Sequence, residues 1–561
     1  MRDAIKSWFI VFVLCFFAAA TISWPLMPRA DELLTSARSD SDLFYSIYAH
    51  WWAGEVISGA QSFSHNAGAY FPEGTDMAGS VWNFVTLFLT GWLQLLREPV
   101  GAWNSATVVI IALNGVAGFA LGKRVGGLWG GVVAAAMMLS FPMSWCEAFE
   151  GRHEQAFTAP ISLTFLSLIR LSDREPRAWL GFGLSLALVA STYWYMAPML
   201  GLALLPIILP MLRSRGSAIE LARGMGVCLL AILPAIIIIA PHVSSELLAR
   251  SNSPEHQLLM RTGNSLLLPF DSLSHRNPMG RALPIFGVLA ILVSLSKKET
   301  RAWGLIGVIA VILTMGSVLQ SGGQPVVVGG RLIPLPLKAL DLLPGFDRFW
   351  WPYRALPIAG CAAATAIALI VSKMKNSHMV AIAASLLLGF ESRAVIFQAL
   401  STGDPSIPTS PYDPAPDSGF YRLEIPTWVE SPPSEGAVVD HPLRQVSNFA
   451  PLYATYHRLP MAIGDGAHEP SIRPTSFSES IYGSQLLSSW AGNTPLDSTE
   501  ADRWELANRG YRWFLWHLPD PTRHPNEHAS ELDKSSAASN IFGEPVSEDR
   551  RLLVFSITPA L

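Results

Sequence analysis

Apolar runs about as long as a membrane-crossing helix recur along the first 396 residues. A helix needs roughly 20 predominantly apolar residues to cross the hydrocarbon core of a bilayer. The pattern therefore predicts about eleven transmembrane helices, with approximate bounds 7–27, 104–122, 126–146, 155–171, 178–195, 196–212, 222–241, 281–296, 302–320, 355–372 and 377–396.

A twelfth apolar run, residues 80–96, is predicted not to cross. Lys and Arg collect in short cytoplasmic loops. With this run left out and the N-terminus inside, every predicted cytoplasmic loop is short and basic, whereas counting it moves all of these loops outside. The run is therefore interpreted as a re-entrant or interfacial helix. The long loops 28–103, 242–280 and 321–354, the aromatic stretch 191–198 and the C-terminal tail then lie on the outer side.

The composition changes after the last predicted span. Residues 401–419 hold five prolines, which predicts a stiff, extended linker. Residues 420–561 alternate short β-like runs with more polar stretches, a pattern typical of a small extracytoplasmic α/β domain. The predicted fold class is thus mainly α: a polytopic membrane helix bundle over residues 1–400, with the large outer loop 28–103, followed by the linker and a C-terminal soluble α/β domain.

Composition supports the membrane assignment. Half of the 561 residues are hydrophobic and 15% are charged, against about 25% charged in soluble domains, and the mean hydropathy is +0.33. The net charge of −4 gives no reason to expect a nucleic-acid partner. The four cysteines lie in apolar runs without a CxxC pair, which argues against a disulfide framework or a zinc site. The first apolar run is longer than a signal-peptide core and is interpreted as an uncleaved helix.

The first candidate cluster is the pair Asp40 and Asp42, just after the first predicted span. From Leu43 onward, aromatic and aliphatic residues fall at helical spacing, which predicts an amphipathic helix lying in the headgroup layer. The two carboxylates would then mark the mouth of a membrane-embedded active site. The alternative is that one aspartate only caps this helix by accepting a backbone N–H.

The second cluster lies in a short outer loop between two predicted spans and comprises Glu150, Arg152, His153 and Glu154. Titratable residues beside a membrane-embedded site are often functional, and these would be acid–base or metal-binding groups at the rim of a cavity. The alternative is a solvated loop whose charges pair with one another.

The third cluster leads into the tenth predicted span, where Arg348 and Arg354 flank Trp350, Trp351 and Tyr353. Arginine grips phosphate with a planar, bidentate fork. The alternative is a set of plain interfacial anchors. The predicted topology places all three clusters on one membrane face, and this convergence predicts a site there.

Several stretches together carry a family resemblance. They are the acidic Asp40–Asp42 loop, "YFPEG" before the non-crossing run, "GRHEQAFTAPISL", the outer loop ending "LPGFDRFWWPYR", and "ELANRGYRWFLWH" in the tail. With them the sequence resembles the GT-C superfamily of integral-membrane glycosyltransferases, and more closely bacterial multi-span proteins of the YfhO-like kind. The resemblance spans nearly the whole chain, on loose motifs.

The resemblance implies an enzyme of the bacterial inner membrane that moves a sugar from a polyprenyl-phosphate donor to an extracytoplasmic glycan, lipid or protein, with inversion. A divalent cation, Mg²⁺ or Mn²⁺, is left open as a cofactor. The implied roles are Asp42 or Asp40 as the base, Glu150, His153 and Glu154 as assisting groups, and Arg348, Arg354 and Tyr353 as the site for the departing lipid phosphate.

Two other functions remain open from the sequence. One is a non-catalytic accessory protein for the assembly of a surface glycan or lipid. The other is a flippase or transporter, which is less favoured because transporters often show paired, broken helices. Here the interruptions at Pro206, Pro210 and Pro234 show no matching halves.

Overall fold

The computed structural model describes residues 2–36, 42–76, 84–243, 282–321, 324–343, 346, 349, 351–402, 415–417, 420–433, 435–441, 449–462 and 500–557, and it is mainly helical. The helices before residue 403 are α1 (Arg2–Ile22), α2 (Leu43–Ser58), α3 (Phe84–Thr90), α4 (Pro99–Leu139), α5 (Pro142–Phe149), α6 (His153–Ala156), α7 (Ala159–Ser172), α8 (Ala178–Thr192), α9 (Met196–Ala203), α10 (Leu205–Leu212), α11 (Arg215–Val243), α12 (Ala282–Ser296), α13 (Arg301–Thr314), α14 (Leu356–Ser372) and α15 (Ser377–Thr402).

Helix α4 contains two of the predicted spans. Gly127, with φ +66° and ψ −162°, interrupts the helix. The two halves fold back on each other, because Gly118 lies against Met138 and Gly122 lies against the backbone of Gly130. The predicted spans 104–122 and 126–146 are therefore separate, antiparallel helices joined by a tight turn.

Within the described ranges, four helical segments are long and apolar enough to cross a membrane: Ile5–Ile22, Pro99–Phe149, Arg215–Ile238 and Pro352–Ser372. Of the other predicted spans, 377–396 lies within the 26-residue helix α15, and shorter helices form those at 155–171, 178–195, 196–212, 281–296 and 302–320. In the run predicted not to cross, the described residues 84–96 contain the seven-residue α3 and a five-residue 3₁₀ helix, Gly91–Leu95. Together these two helices are too short to span a bilayer. The protein is thus a helical membrane protein, while the total of eleven spans remains a prediction.

Contacts between the connecting loops show which of the loops lie at the same end of the helix bundle. At one end, Arg124 pairs with Asp173 at 2.6 Å and Lys373 pairs with Glu299 at 3.1 Å. At the other end, strand β1 (Leu33–Leu34) pairs antiparallel with strand β9 (Phe420–Arg422) at the start of the tail. The first long loop and the tail therefore lie at the same end of the bundle, as the predicted topology requires.

The remaining strands are short in the loops and longer in the tail. The loop strands are β2 (His65–Asn66), β3 (Thr75–Asp76), β4 (Gln320–Ser321), β5 (Gln324–Pro325), β6 (Val327–Val328), β7 (Arg331–Leu332) and β8 (Ala415–Asp417). The tail sheet has the order β10-β11-β13-β12, with β10 (Ala437–His441), β11 (Tyr511–His517), β12 (Ser547–Asp549) and β13 (Leu552–Ser556). Strands β10 and β11 are parallel, and the other pairs are antiparallel.

Four helices accompany this sheet in the described part of the tail: α16 (Thr427–Glu430), α17 (Phe449–His457), α18 (Glu500–Asn508) and α19 (Pro525–Phe542). Helices and a mixed sheet are therefore both present, and the domain bounds at 401 and 419 remain predictions.

Helix α2 is buried on nearly all sides, which corrects the prediction of an amphipathic helix in the headgroup layer. Phe44, His50 and Trp52 are all fully buried. Helix α17 of the tail packs against α2, as do α3 and the 3₁₀ helix that follows it. The aromatic side chains of α2 thus fill a core shared by the first long loop and the tail, because they have protein partners on both sides.

The close packing of α4 on α14 depends on a missing side chain, and this generates the first prediction. A Cβ atom at Gly126 would lie 2.2 Å from the carbonyl oxygen of Ala368. Because backbone cannot move aside cheaply, Gly126→Ala is expected to destabilise the protein by about 1–3 kcal/mol through overpacking. The measurement is the thermal unfolding midpoint in detergent, which should fall by several degrees.

Gly226→Ala is the matched control, since Gly226 lies in the long helix α11 with no atom within 4 Å of its added Cβ. Alanine favours a helix over glycine by about 0.5–1 kcal/mol, so its midpoint should hold or rise. Equal midpoints for the two variants would contradict the packing described here.

Candidate active site

Asp42 lies directly before α2 but does not cap it. Its backbone has φ −76° and ψ 0°, and its side chain makes no capping hydrogen bond. Instead, Oδ2 accepts a hydrogen bond from Nη1 of Arg152 at 3.1 Å, and the side chain remains 51% exposed. The capping alternative is therefore excluded for Asp42, and this residue joins the first predicted cluster to the second.

Gly151 explains how these two segments approach each other. Its φ of +98° favours glycine, and a Cβ atom there would lie 2.5 Å from the backbone nitrogen of Leu43. Nearby, the Thr35 hydroxyl donates to the carbonyl oxygen of Phe149 at 2.9 Å. The loop after α5 thus rests directly against the start of α2.

Glu147 lies at the centre of the cluster, although the sequence analysis did not single it out. It lies in the last turn of α5 and is 1% exposed. Its Oε2 accepts from Nε of Arg152, its Oε1 accepts from the Tyr353 hydroxyl at 2.9 Å, and Nη2 of Arg354 is 3.9 Å from Oε2. The available signal was a carboxylate immediately after a predicted apolar span.

Arg152 is shared among three carboxylates. Besides Glu147 and Asp42, it donates through Nη2 to Glu150. Burial alone would lower the pKa of Arg152, but the charges of Glu147, Glu150 and Asp42 raise it well above its usual range. The loop charges do pair with one another, as the alternative interpretation held. They do so in a largely buried network, since Arg152 is only 14% exposed.

Arg354 is buried beside this network and is not an exposed interfacial anchor. It is 5% exposed, its Nη1 donates to the Tyr193 hydroxyl at 3.1 Å, and its guanidinium lies over the ring of Trp351 at 4.2 Å. Its Nε is buried without a hydrogen-bond partner in the described part of the chain. Tyr193 belongs to the aromatic stretch that the sequence placed at the membrane interface, and it also contributes to the site.

His153 packs against α4, beside the charged network. Its ring stacks on Trp103 with centroids 3.6 Å apart, and its Nε2 is 2.7 Å from the Thr107 hydroxyl. Burial lowers the pKa of His153 well below its usual value, and His50 lowers it further. The imidazole is therefore neutral at physiological pH.

Glu154 has a charge that changes near neutral pH. Burial raises the pKa of its carboxyl to about 7, with Arg354 and Arg152 acting in the opposite direction and Asp42 adding to the rise. One oxygen, Oε1, accepts from the side-chain amide of Gln155 at 3.0 Å. Because a carboxyl group with a pKa near 7 can gain or lose a proton under working conditions, Glu154 is suited to acid–base chemistry.

The structure thus brings together Asp42, Glu150, Tyr353 and Arg354 of the predicted site residues, through Glu147 and Arg152. Asp40 and Arg348 lie outside the described residues.

Arg152 occupies the position among Glu147, Glu150 and Asp42 where a divalent cation would have to bind. Among the described residues, no three His, Cys, Asp or Glu side chains form a group suited to a metal ion. The residues of this network therefore do not fit a resident cation, and the Mg²⁺ or Mn²⁺ that the resemblance left open has no site assigned among them.

The sequence matches no protein-family model and no curated protein. The structure is similar to two structures of the arabinofuranosyltransferase AftD from Mycobacteria. One has a TM-score of 0.54 at 12% identity, covering 99% of this chain and 42% of that chain. The other has a TM-score of 0.52 at 13% identity, covering 99% and 40%. This chain therefore spans about two fifths of the length of AftD.

A third similar structure is ArnT from Cupriavidus metallidurans bound to undecaprenyl phosphate. The match covers 100% of this chain and 99% of the ArnT chain, at 12% identity and a TM-score of 0.48. At sequence identities this low, structural similarity shows a shared fold and does not show a shared function. The conclusion about the fold rests on the two AftD structures. The chain has the fold of the GT-C membrane glycosyltransferases, as its sequence predicted.

Proposed function

We propose that this protein is a membrane glycosyltransferase that moves a sugar from a polyprenyl-phosphate donor to an extracytoplasmic acceptor, with inversion at the anomeric carbon. The observation that carries the proposal is that Arg152 joins Asp42 to the buried Glu147, whose Oε2 lies 3.9 Å from Nη2 of Arg354. A carboxylate that can take a proton and a guanidinium that can hold a phosphate are thereby placed in one network. ArnT, which shares a similar structure, binds undecaprenyl phosphate.

In the proposed reaction, the Asp42 carboxylate takes the proton of an acceptor hydroxyl. The hydroxyl oxygen attacks the anomeric carbon from the face opposite the phosphate, and the bond between that carbon and the phosphate oxygen breaks. The electron pair leaves with the polyprenyl phosphate, whose developing charge Arg354 stabilises. Preorganised charge of this kind is often the largest contribution to catalysis.

Glu147 and Tyr353 have positioning roles in this proposal. Glu147 hydrogen-bonds Arg152 and Tyr353 and lies near Arg354. It therefore fixes the two guanidinium groups that would otherwise repel each other. Asp40, Arg348, Glu150 and His153 remain proposed contributors with no assigned step.

A non-catalytic accessory function for glycan or lipid assembly is the second candidate. One observation favours it: Arg152 pairs with Asp42, Glu147 and Glu150 together, as it would in a purely structural network. The two candidates differ in whether Asp42 is needed for turnover.

Asp42→Asn should abolish sugar transfer while leaving donor binding largely intact. A general base contributes about 10²- to 10⁴-fold to a rate, so kcat should fall at least about 100-fold. The measurement is release of polyprenyl phosphate from a panel of undecaprenyl-phosphate sugars in membranes that contain the protein.

Asp31→Asn is the matched control, because Asp31 lies in the same loop, is 50% exposed and has its own arginine partner, Arg97, at 3.7 Å. It should keep full turnover. Full turnover by a variant with both Asp40 and Asp42 changed to Asn would reject the mechanism and leave the accessory function.

Arg354→Gln should raise the donor KM and also lower kcat, because the guanidinium is proposed to hold the donor phosphate and to stabilise its developing charge. Hydrogen bonds to charged groups contribute about 1.5–3 kcal/mol, so the donor KM should rise about 10- to 100-fold. Arg331→Gln is the control, since Arg331 lies in the same outer loop but is exposed. A donor KM that rises equally in both variants would show that Arg354 has no special role.

The donor KM should also depend on whether the carboxyl group of Glu154 is protonated. The pKa of Glu154 is raised, so its carboxyl is neutral below about pH 7 and becomes negative as the pH rises through that value. The new charge opposes binding of the donor phosphate near Arg354. A phosphodiester is fully ionised throughout this range and adds no titration of its own.

The donor KM is therefore expected to increase by about threefold to tenfold between pH 6 and pH 8, the effect of one nearby charge. Glu154→Gln should make the profile flat. Glu32→Gln, a change at an acid that is 60% exposed in the first long loop, should keep the wild-type profile. A wild-type KM that does not change with pH would refute this role for Glu154.

A further inference from the structure

A cavity of about 140 Å³ lies between the first long loop and the tail, outside the charged network. Helix α2 contributes Tyr48 and Trp51, whose ring centroids are 5.4 Å apart with planes inclined by 34°. The tail contributes the residues at the end of α17, including Arg458. Gln61 and Gly68 of the first long loop also line the cavity.

Backbone hydrogen bonds hold the two walls of this cavity together. The Met461 amide donates to the carbonyl oxygen of Gly68 at 2.8 Å, and the Phe71 amide donates to the carbonyl oxygen of Met461 at 3.1 Å. The cavity is therefore a formed feature of the interface between loop and tail. Binding sites for small ligands are typically concave, mostly apolar and equipped with a few polar groups, and this cavity has that composition.

Trp51 lines the cavity and has a hydrogen-bond donor without a partner. The side chain is 8% exposed, and its Nε1 has no hydrogen-bond partner among the described residues. A buried indole N–H usually finds an acceptor, and a group left without one calls for an explanation. A hydroxyl group in the cavity would supply that acceptor.

Arg458 keeps a large side chain where the backbone favours glycine. It follows the last residue of α17 with φ +57°, and its amide donates to the carbonyl oxygen of Ala454 at 3.0 Å. This is the left-handed position at a helix end that glycine usually occupies. Arg458, which lines the cavity and is exposed, thus adopts this backbone conformation at a cost that glycine would not have.

We propose that this cavity is a saccharide-binding subsite that holds a non-reacting sugar unit of the acceptor. Rings of Tyr48 and Trp51 match the apolar face of a sugar, while the Trp51 indole N–H, Gln61 and Arg458 match its hydroxyl groups. Tyr48 and Trp51 lie six and nine residues after Asp42 along α2, a rise of roughly 9 and 14 Å. A sugar bound there is therefore near enough for another unit of the same acceptor to reach Asp42. The inference rests on the proposed function.

The test uses the full-length protein in nanodiscs and saturation-transfer difference NMR with the methyl glycosides of mannose, glucose, galactose and arabinofuranose. At least one glycoside should bind with a millimolar Kd. Arg458→Gly should weaken that binding about tenfold and should not lower the thermal unfolding midpoint, because glycine suits the left-handed backbone.

Arg174→Gly is the matched control. Arg174 also has a positive φ, +58°, and is exposed, but it lies just after α7, at the opposite end of the bundle. It should retain wild-type saccharide binding. The inference is overturned if no glycoside binds, which is the result expected for a polypeptide acceptor. It is also overturned if the Arg458→Gly variant binds a glycoside as tightly as the wild type does.

Failure of the subsite and failure of the proposed enzyme are separable. Asp42→Asn should bind the glycosides normally, since Asp42 does not line the cavity. If the variant with both Asp40 and Asp42 changed to Asn keeps full turnover while saccharide binding depends on Arg458, the proposed enzyme mechanism is rejected and the saccharide subsite is supported. If Asp42→Asn loses turnover while Arg458→Gly leaves saccharide binding unchanged, the enzyme mechanism is supported and the saccharide subsite is rejected.

Discussion

The buried carboxylate of Glu147 is the constraint on which the site depends. An ion taken out of water at the end of an apolar helix is costly unless it is paired and hydrogen-bonded. Its partners are Arg152 from the following loop and, 206 residues further along the chain, the Tyr353 hydroxyl with Arg354 beside it. The helices around these segments therefore pack in an arrangement that holds the segments together. The site is therefore part of the assembly of the fold, and its geometry is fixed with the bundle.

Sharing of Arg152 also means that the charges of the site do not act independently. Removing the guanidinium would leave the carboxylates of Asp42, Glu147 and Glu150 close together without their common partner. Removing Asp42 leaves Arg152 with two acids, a much smaller disturbance. Residues in one such network show non-additive effects. Asp42 is consequently the member whose chemical role can be separated from its structural role, and its exposure fits that distinction.

Much of the helical framework could be predicted from the sequence, because membrane helices are defined by the length of apolar runs. The charged site was harder to predict. The positions of Arg354 and Glu150 in outer loops predict them, whereas Glu147 directly follows an apolar span and nothing in the sequence distinguishes it from a residue that merely ends a helix. Aromatic residues of α2 were assigned to a lipid surface because spacing alone cannot distinguish lipid from a protein partner. The partners are α3, the 3₁₀ helix after it and, about 400 residues later in the chain, α17 of the tail.

The shared core of α2 and the tail links the candidate active site to the rest of the extramembrane structure. Trp52 of α2 belongs to the same buried cluster as Tyr511 of the tail sheet, and the Tyr511 hydroxyl donates to the carbonyl oxygen of Phe71. A tail with these contacts cannot swing freely on its linker, since doing so would expose large aromatic side chains to water. Helix α2, which directly follows Asp42, and the tail therefore keep one relative position. An acceptor gripped by both would be presented to the carboxylate at a fixed distance, which reduces the entropic cost of aligning the reacting hydroxyl group.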